Sequence, residues 1–196
     1  MDANNQPYEI LTGVGTLYRA AVGTAFPSLT AQPGAAWTNL GETDGGVKIT
    51  PEQETKTFTS DQRTGPVKAV RVGESLTVET NLKHATLENI GLLLGASVTD
   101  TPPGAGTIGT RELPLHRGST VNEYAFLFRH PYGSPYGNFP AQYELPRGFF
   151  DGPAGQEYKK DGEVLLPVKF TVLEDTTAGA EADRFGRLVA QDAAAA

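Results

Sequence analysis

The feature that most constrains this chain is a side-chain period of two that returns in segment after segment. Between residues 67 and 82, Val70, Val72, Leu76 and Val78 fall on one parity, and Arg71, Ser75, Thr77, Glu79 and Asn81 on the other. A strand with one buried and one wet face needs this alternation, because successive side chains leave opposite faces of the pleat. The pattern recurs after Gly162, with Val164, Leu166, Val168, Phe170 and Val172 on one face. Tyr124, Phe126 and Phe128 alternate with Glu123 and Arg129, and Val47 and Ile49 oppose Lys48, Thr50, Glu52 and Glu54. Residues 8–18 are a weaker strand, since Gly13 and Gly15 lower strand propensity. Segments 107–116 and 141–150 complete a set of about seven, separated by Gly, Pro, Asp and Asn. The expected fold is therefore all-β, an antiparallel sandwich or barrel of about seven or more strands.

One segment breaks the period. Leu87, Ile90 and Leu94 stand at helical spacing behind Thr86, with Glu88 in the first turn and Gly95 placed to end the helix in a left-handed cap. This predicts a short helix over 86–94 that plugs one end or side of the barrel. Residues 24–36, with Pro27, Pro33 and Gly34, read as a surface crossing, and 99–106 (TDTPPGAG) as an irregular loop. The stretch 176–196 has little periodicity and reads as a tail that orders only on something outside the domain.

The same residues exclude most chemistry. The chain has 196 residues and no Cys, so thiolate metal sites, disulfides and cysteine nucleophiles are absent. Its net charge of −7 has the wrong sign for gripping nucleic acid. No apolar run approaches the ~20 residues of a membrane span, and residues 1–5 lack the basic start of a secretory signal. The expectation is an acidic protein made and folded in a cytoplasm, without a membrane partner. His84, His116 and His130 share no metal-binding spacing, no GxSxG elbow occurs, and Gly13-Val14-Gly15 is followed by no phosphate-loop helix. Glu52 and Glu54 share a strand face, where acids more often meet solvent than a substrate. No catalytic residue, cofactor or metal is expected. What remains is a long polar hairpin over about 46–66: past Ile49 its first strand carries only Pro51 as an apolar residue up to Thr57. A ribbon that polar finds little core in its own domain, so neighbouring copies are expected to order it.

Several blocks then resemble one family in order. Leu17-Tyr18, Gly23-Thr24 and Pro27 resemble the opening "LY.AP.GT..P" of tail tube proteins of long, non-contractile-tailed bacteriophages. Residues 37–47 (WTNLGETDGGV) resemble its "W..LG.TDGGV", Asp61-Gln62 with Gly65-Pro66 its "DQ..GP", residues 85–90 (ATLENI) its helix, and 170–175 (FTVLED) its closing strand. Ala21-Val22 departs from the family's Ala-Pro, and 132–150 matches none of these blocks.

The resemblance implies a non-enzymatic virion subunit, assembled in the bacterial host cytoplasm, that forms homo-hexameric rings stacking into a tube. DNA passes through the lumen without specific binding. Tape-measure, tail terminator and distal tail proteins are the implied partners. By position, residues 1–175 are the sandwich domain; an N-terminal arm at 1–7, the hairpin loop and a C-terminal arm, 176–196, make the contacts between rings. Phe58, Asp61, Gln62 and Arg63 are the inter-ring loop candidates. The polar parity, Lys48, Thr50, Glu52, Glu54, Arg71, Ser75, Thr77 and Glu79, is the candidate lumen lining. Other readings are a tail terminator, a contractile-tail or secretion tube relative, or a monomeric sandwich that binds carbohydrate on an aromatic platform of Tyr132, Tyr136, Phe139 and Tyr143. A hydrolase or jelly-roll oxygenase lacks ligands and motifs.

Overall fold

In the computed structural model, which describes residues 10, 11 and 13–194, ten strands, one α-helix and a short 3-10 helix (Glu181–Asp183) are formed. The strands are β1 (Thr16–Ala21), β2 (Thr38–Asn39), β3 (Thr43–Phe58), β4 (Lys68–Leu82), β5 (Thr99–Thr101), β6 (Thr110–Glu112), β7 (Glu123–His130), β8 (Ala141–Phe150), β9 (Leu166–Val172) and β10 (Arg187–Ala190). Eight of them make one antiparallel sheet in the order β2-β1-β7-β8-β9-β4-β3, with β10 added beside β8. One edge of β8 is shared: Gly148–Phe150 pairs with β9, while Ala141–Glu144 pairs with β10. A register shift between Tyr124 and Phe126 of β7 marks where this central pair bends.

The bend brings the ends of the sheet together. Leu17 of β1 belongs to the same core as Val78 and Leu82 of β4, although three strands separate them in the sheet order. Phe126 and Phe170 stack at the centre with ring centroids 4.8 Å apart, and Phe150 meets Phe170 edge-on at 5.3 Å. Gly148 leaves the room that Phe170 takes; a Cβ there would lie 2.5 Å from the ring.

The helix α1 (Leu87–Leu94) begins and ends as expected. Thr86 Oγ1 accepts from the Asn89 amide at 3.2 Å, and Gly95 closes the helix at φ 71°. Its buried side is centred on Leu92 and Leu93, with Ile90 packed against the core, rather than on the expected Leu87, Ile90 and Leu94 stripe.

Other expectations change. β7 buries both faces: Phe126 looks into the main core, while Ala125 and Leu127 form a second cluster with Ala20 and Trp37. The cause is the Pro-rich crossing, which straps the outer face of β1 and β7 by Phe26 and Trp37 (rings 5.2 Å apart). Residues 99–101, expected to be irregular, pair as β5 with β6, a strand far shorter than 107–116. β1 begins at Thr16, beyond most of the 8–18 segment, and residues 1–9 lie outside the described part. Within 132–150 lies β8 itself, so much of that stretch is the centre of the sheet. Residues 187–190 are no free tail either, because they pair with β8 of their own domain.

Candidate assembly surfaces

The β3–β4 ladder runs through fourteen residue pairs, from Thr43↔Leu82 to Phe58↔Lys68. It starts with an irregularity, at which Gly45 (φ 74°) and Gly46 (φ 82°) occupy left-handed backbone that side chains avoid. Only the base is attached: β9 pairs with Thr77–Leu82, and among the described residues no strand other than β3 flanks the rest of β4. From Pro51 onward the ribbon is exposed on both faces and, at ~3.3 Å per residue, stands roughly 25 Å clear of the sandwich. Phe58, Asp61, Gln62 and Arg63 come together at its far end, where Ser60 Oγ donates to Gln62 Oε1 at 2.6 Å and the Arg63 amide to Ser60 O at 3.0 Å.

Cross-strand partners share a face. Lys48↔Glu79, Thr50↔Thr77 and Glu52↔Ser75 therefore place six of the eight polar-parity residues together, with Glu54 opposite Gly73. Arg71 is the exception. Between Glu54↔Gly73 and Thr55↔Arg71 the ladder skips Val72, and this extra residue reverses the faces beyond it. Arg71 thus sits on the other side, where its Nε donates to Gln53 Oε1 at 3.1 Å and its guanidinium lies 3.6 Å from Glu74. Val70, expected among the apolar parity, is turned to the polar face opposite Lys56.

β9 extends this face by two residues that the sequence reading missed, Lys169 opposite Glu79 and Thr171 opposite Thr77. Their alternation with Val168, Phe170 and Val172 is visible in the sequence, but their neighbours on β4 are not. The result is a cross-strand row Lys48–Glu79–Lys169, a threonine row Thr50–Thr77–Thr171, and then an acidic end at Glu52 and Glu54. Lys48 Nζ lies 3.9 Å from Glu79 and Lys169 Nζ 3.8 Å from Asp151; neither Glu52 nor Glu54 has a basic partner within 4.0 Å among the described residues. Such exposed pairs contribute ~0–1 kcal/mol each, so their role is to set local charge rather than to hold the sheet.

A second polar assembly fixes the C-terminal strand. Under the strap, Gln142 and Glu144 of β8 are buried at 1% and 4% exposure. Gln142 Nε2 donates to Pro27 O (2.8 Å) and Glu144 Oε1 (2.6 Å), and Gln142 Oε1 accepts from Arg129 Nη2 at 2.7 Å. Arg129 also donates to Ser28 O at 2.7 Å and to Ala31 O. These side chains satisfy strap carbonyls that no ladder reaches. Burial pulls the Arg129 guanidinium below its ordinary range, while the hydrogen bond to Glu144 raises that of Arg187, whose Nε reaches Glu144 Oε2 at 2.7 Å. Ser134 Oγ donates to Gln191 O at 2.5 Å and finishes the clamp. Arg187→Ala leaves the buried carboxylate with one amide donor. We expect a loss of about 1–3 kcal/mol, below a fully buried pair because Arg187 is itself half exposed. Faster amide exchange confined to residues 187–194 is the accompanying signature; uniform loosening of the whole sheet would contradict it.

The proposed aromatic platform does not form. Tyr143 packs on Phe128 with ring centroids 6.2 Å apart, and only Tyr132 and Tyr136 of the four are exposed.

The fold is thus an all-β domain whose sheet ends at β2 and β3 and whose ribbon, from Pro51 onward, is exposed among the described residues. The chain belongs to the phage tail tube protein family, whose pattern matches residues 2–185. It is a structural subunit of the tail tube, and its place is the virion tail. No curated protein matches it. Among the described residues, no helix is long and apolar enough to cross a membrane.

Proposed function

We propose that this subunit builds the tube of a long, non-contractile tail by closing six copies into a ring and stacking the rings, with DNA passing through the lumen. The observation that carries this reading is the polar face of β9, β4 and β3 running straight into the free ribbon. Open edges at β2 and β3 favour closure through neighbours, which removes exposed backbone donors and acceptors. In this reading Lys48, Thr50, Glu52, Glu54, Ser75, Thr77 and Glu79 face the lumen, joined by Lys169, while the hydroxyl of Thr171, in the same register, is buried. Its lysines stand beside acids, a threonine band follows, and the acidic end repels phosphate, so DNA slides without being gripped. The ribbon favours a stacking subunit over a terminator that ends the tail after one ring. Assembly takes place in the host cytoplasm with tape-measure, terminator and distal tail proteins, without a cofactor or a catalytic step.

Negative-stain electron microscopy of the concentrated chain, beside its mass by light scattering, tests this. Hollow tubes or six-membered rings are expected, alone or when added to an infected lysate. A monomer that also fails to join tails in lysate would sink the reading. The lining is tested by Glu52→Lys, Glu54→Lys and Glu79→Lys together. Tubes of normal dimensions are expected, with infectivity lowered about tenfold or more as phosphates stick to the wall; full infectivity would take these residues out of the lumen.

A further inference from the structure

We propose that a cleft between α1, the β5–β6 hairpin and the core-facing side of β1 and β7 binds a zwitterion of amino-acid type, a small molecule with a carboxylate and an ammonium group on one short frame. The cleft has a volume of about 490 Å³ and contains no residue of β3 or β4, so it stands apart from the ribbon and the polar face. Arg19 and Tyr124 form its sheet wall, Glu88 and Leu92 its helix wall, and Asp100 and Arg111 its hairpin wall. Arg19 is the residue that lacks a partner. Its cross-strand neighbour is Phe126, so the two side chains leave the same face, and Phe126 lies in the main core. A cation on that face is costly to bury unless an acid meets it. Arg19 is half-buried, yet among the described residues no carboxylate stands within 4.0 Å of its guanidinium. It lies 5.3 Å from the centroid of the Tyr124 ring, and Tyr124 is braced in turn by Phe150 at 5.7 Å. A ring face attracts a cation but accepts little from its N–H groups, which leaves them for a carboxylate.

The opposite wall carries the complementary charge. Arg111 Nη1 donates to Glu88 Oε1 at 2.9 Å, and Arg111 Nε lies 3.8 Å from Asp100. Two carboxylates against one guanidinium leave −1 there, against +1 at Arg19, so the cleft is neutral in sum and polarised from wall to wall. A phosphate or a bare carboxylate meets the surplus acid, and a bare amine meets Arg19. A molecule with both charges satisfies both walls and adds no net charge to the site. Leu92 and Val98 add apolar lining, and Asn122, fixed by a hydrogen bond from its Nδ2 to Gly95 O at 3.2 Å, adds a polar group. Clefts of this volume hold a small ligand on apolar walls by a few placed polar groups. The class that fits is a free α-amino acid with an aliphatic side chain.

Saturation-transfer difference NMR reads the ligand, so it applies to monomer and tube alike. L-Leucine is titrated beside N-acetyl-leucine, which keeps only the carboxylate, and leucine amide, which keeps only the ammonium. Saturable binding of leucine is expected, with each half-ligand weaker by about tenfold or more. Arg19→Gln is expected to weaken leucine by the same factor. Its melting temperature should stay within about 3 °C of the unmodified chain's, since the change breaks no ion pair. Glu88→Gln neutralises the far wall and is expected to strengthen N-acetyl-leucine while weakening leucine amide. The inference is overturned by an absence of signal from leucine at about 20 mM, by unchanged leucine binding in Arg19→Gln, or by N-acetyl-leucine binding the unmodified chain as tightly as leucine does. Tighter binding of a capped Glu-Lys dipeptide, which offers the two charges on side chains, would also overturn it by assigning the cleft to a partner chain.

Discussion

Replacing residues 54–73 by Asn-Gly is expected to yield a folded chain that forms no tubes. The last retained pair is Gln53↔Glu74, and a two-residue Asn-Gly loop joins antiparallel strands in the twist they already have. Nothing in the removed segment is buried; the core contribution of β4 begins at Leu76 and Val78. The melting temperature should therefore stay within about 3 °C, since surface changes away from packed features cost little. Calorimetry gives the first half of the result, light scattering and electron microscopy the second. Normal tubes from this variant would remove the ribbon from assembly, whereas a collapse in melting temperature would show that it stabilises its own domain.

Phe170→Ala is the converse, an effect on the fold that reaches assembly only through it. Phe170 is fully buried, stacked on Phe126 and met edge-on by Phe150, in space kept free by the bare Cα of Gly148. Truncating such a ring costs about 3–5 kcal/mol, since the cavity closes only in part. For a domain of this size that lowers the melting temperature by roughly 10 °C or more. Denaturant unfolding should show a lower midpoint with an unchanged slope; a loss under about 1 kcal/mol would mean that the three rings do not form the centre of the core. Together the two variants separate folding from polymerisation.

What the sequence disclosed was whatever is decided locally. Thr86, Glu88 and Gly95 bracket a helix because capping acts within a few residues, and β9 was legible because its alternation is unbroken from Leu166 to Val172. Pairings between distant segments were not legible. Arg187–Ala190 reads as tail until Glu144, buried 43 residues earlier in the chain, is seen to need its arginine. Ala125 and Leu127 look neutral until the Phe26–Trp37 strap arrives over them. On the polar face of the β3–β4 ladder, Lys48, Thr50, Glu52, Ser75, Thr77 and Glu79 followed simple alternation. Arg71 did not, because a skipped residue leaves no mark in composition: Val70 and Val72 have the spacing of Leu76 and Val78, yet one of them is counted out of the ladder.

That skipped residue also governs how the ribbon can change over evolutionary time. With two residues per pleat, any odd insertion or deletion on one strand beyond Val72 turns everything distal inside out. Length drift in related ribbons should therefore be quantised. Indels would come as matched pairs on the two strands, or as a single one accompanied by loss of the bulge, and descendants would differ in reach by steps of about two residues rather than by a continuum.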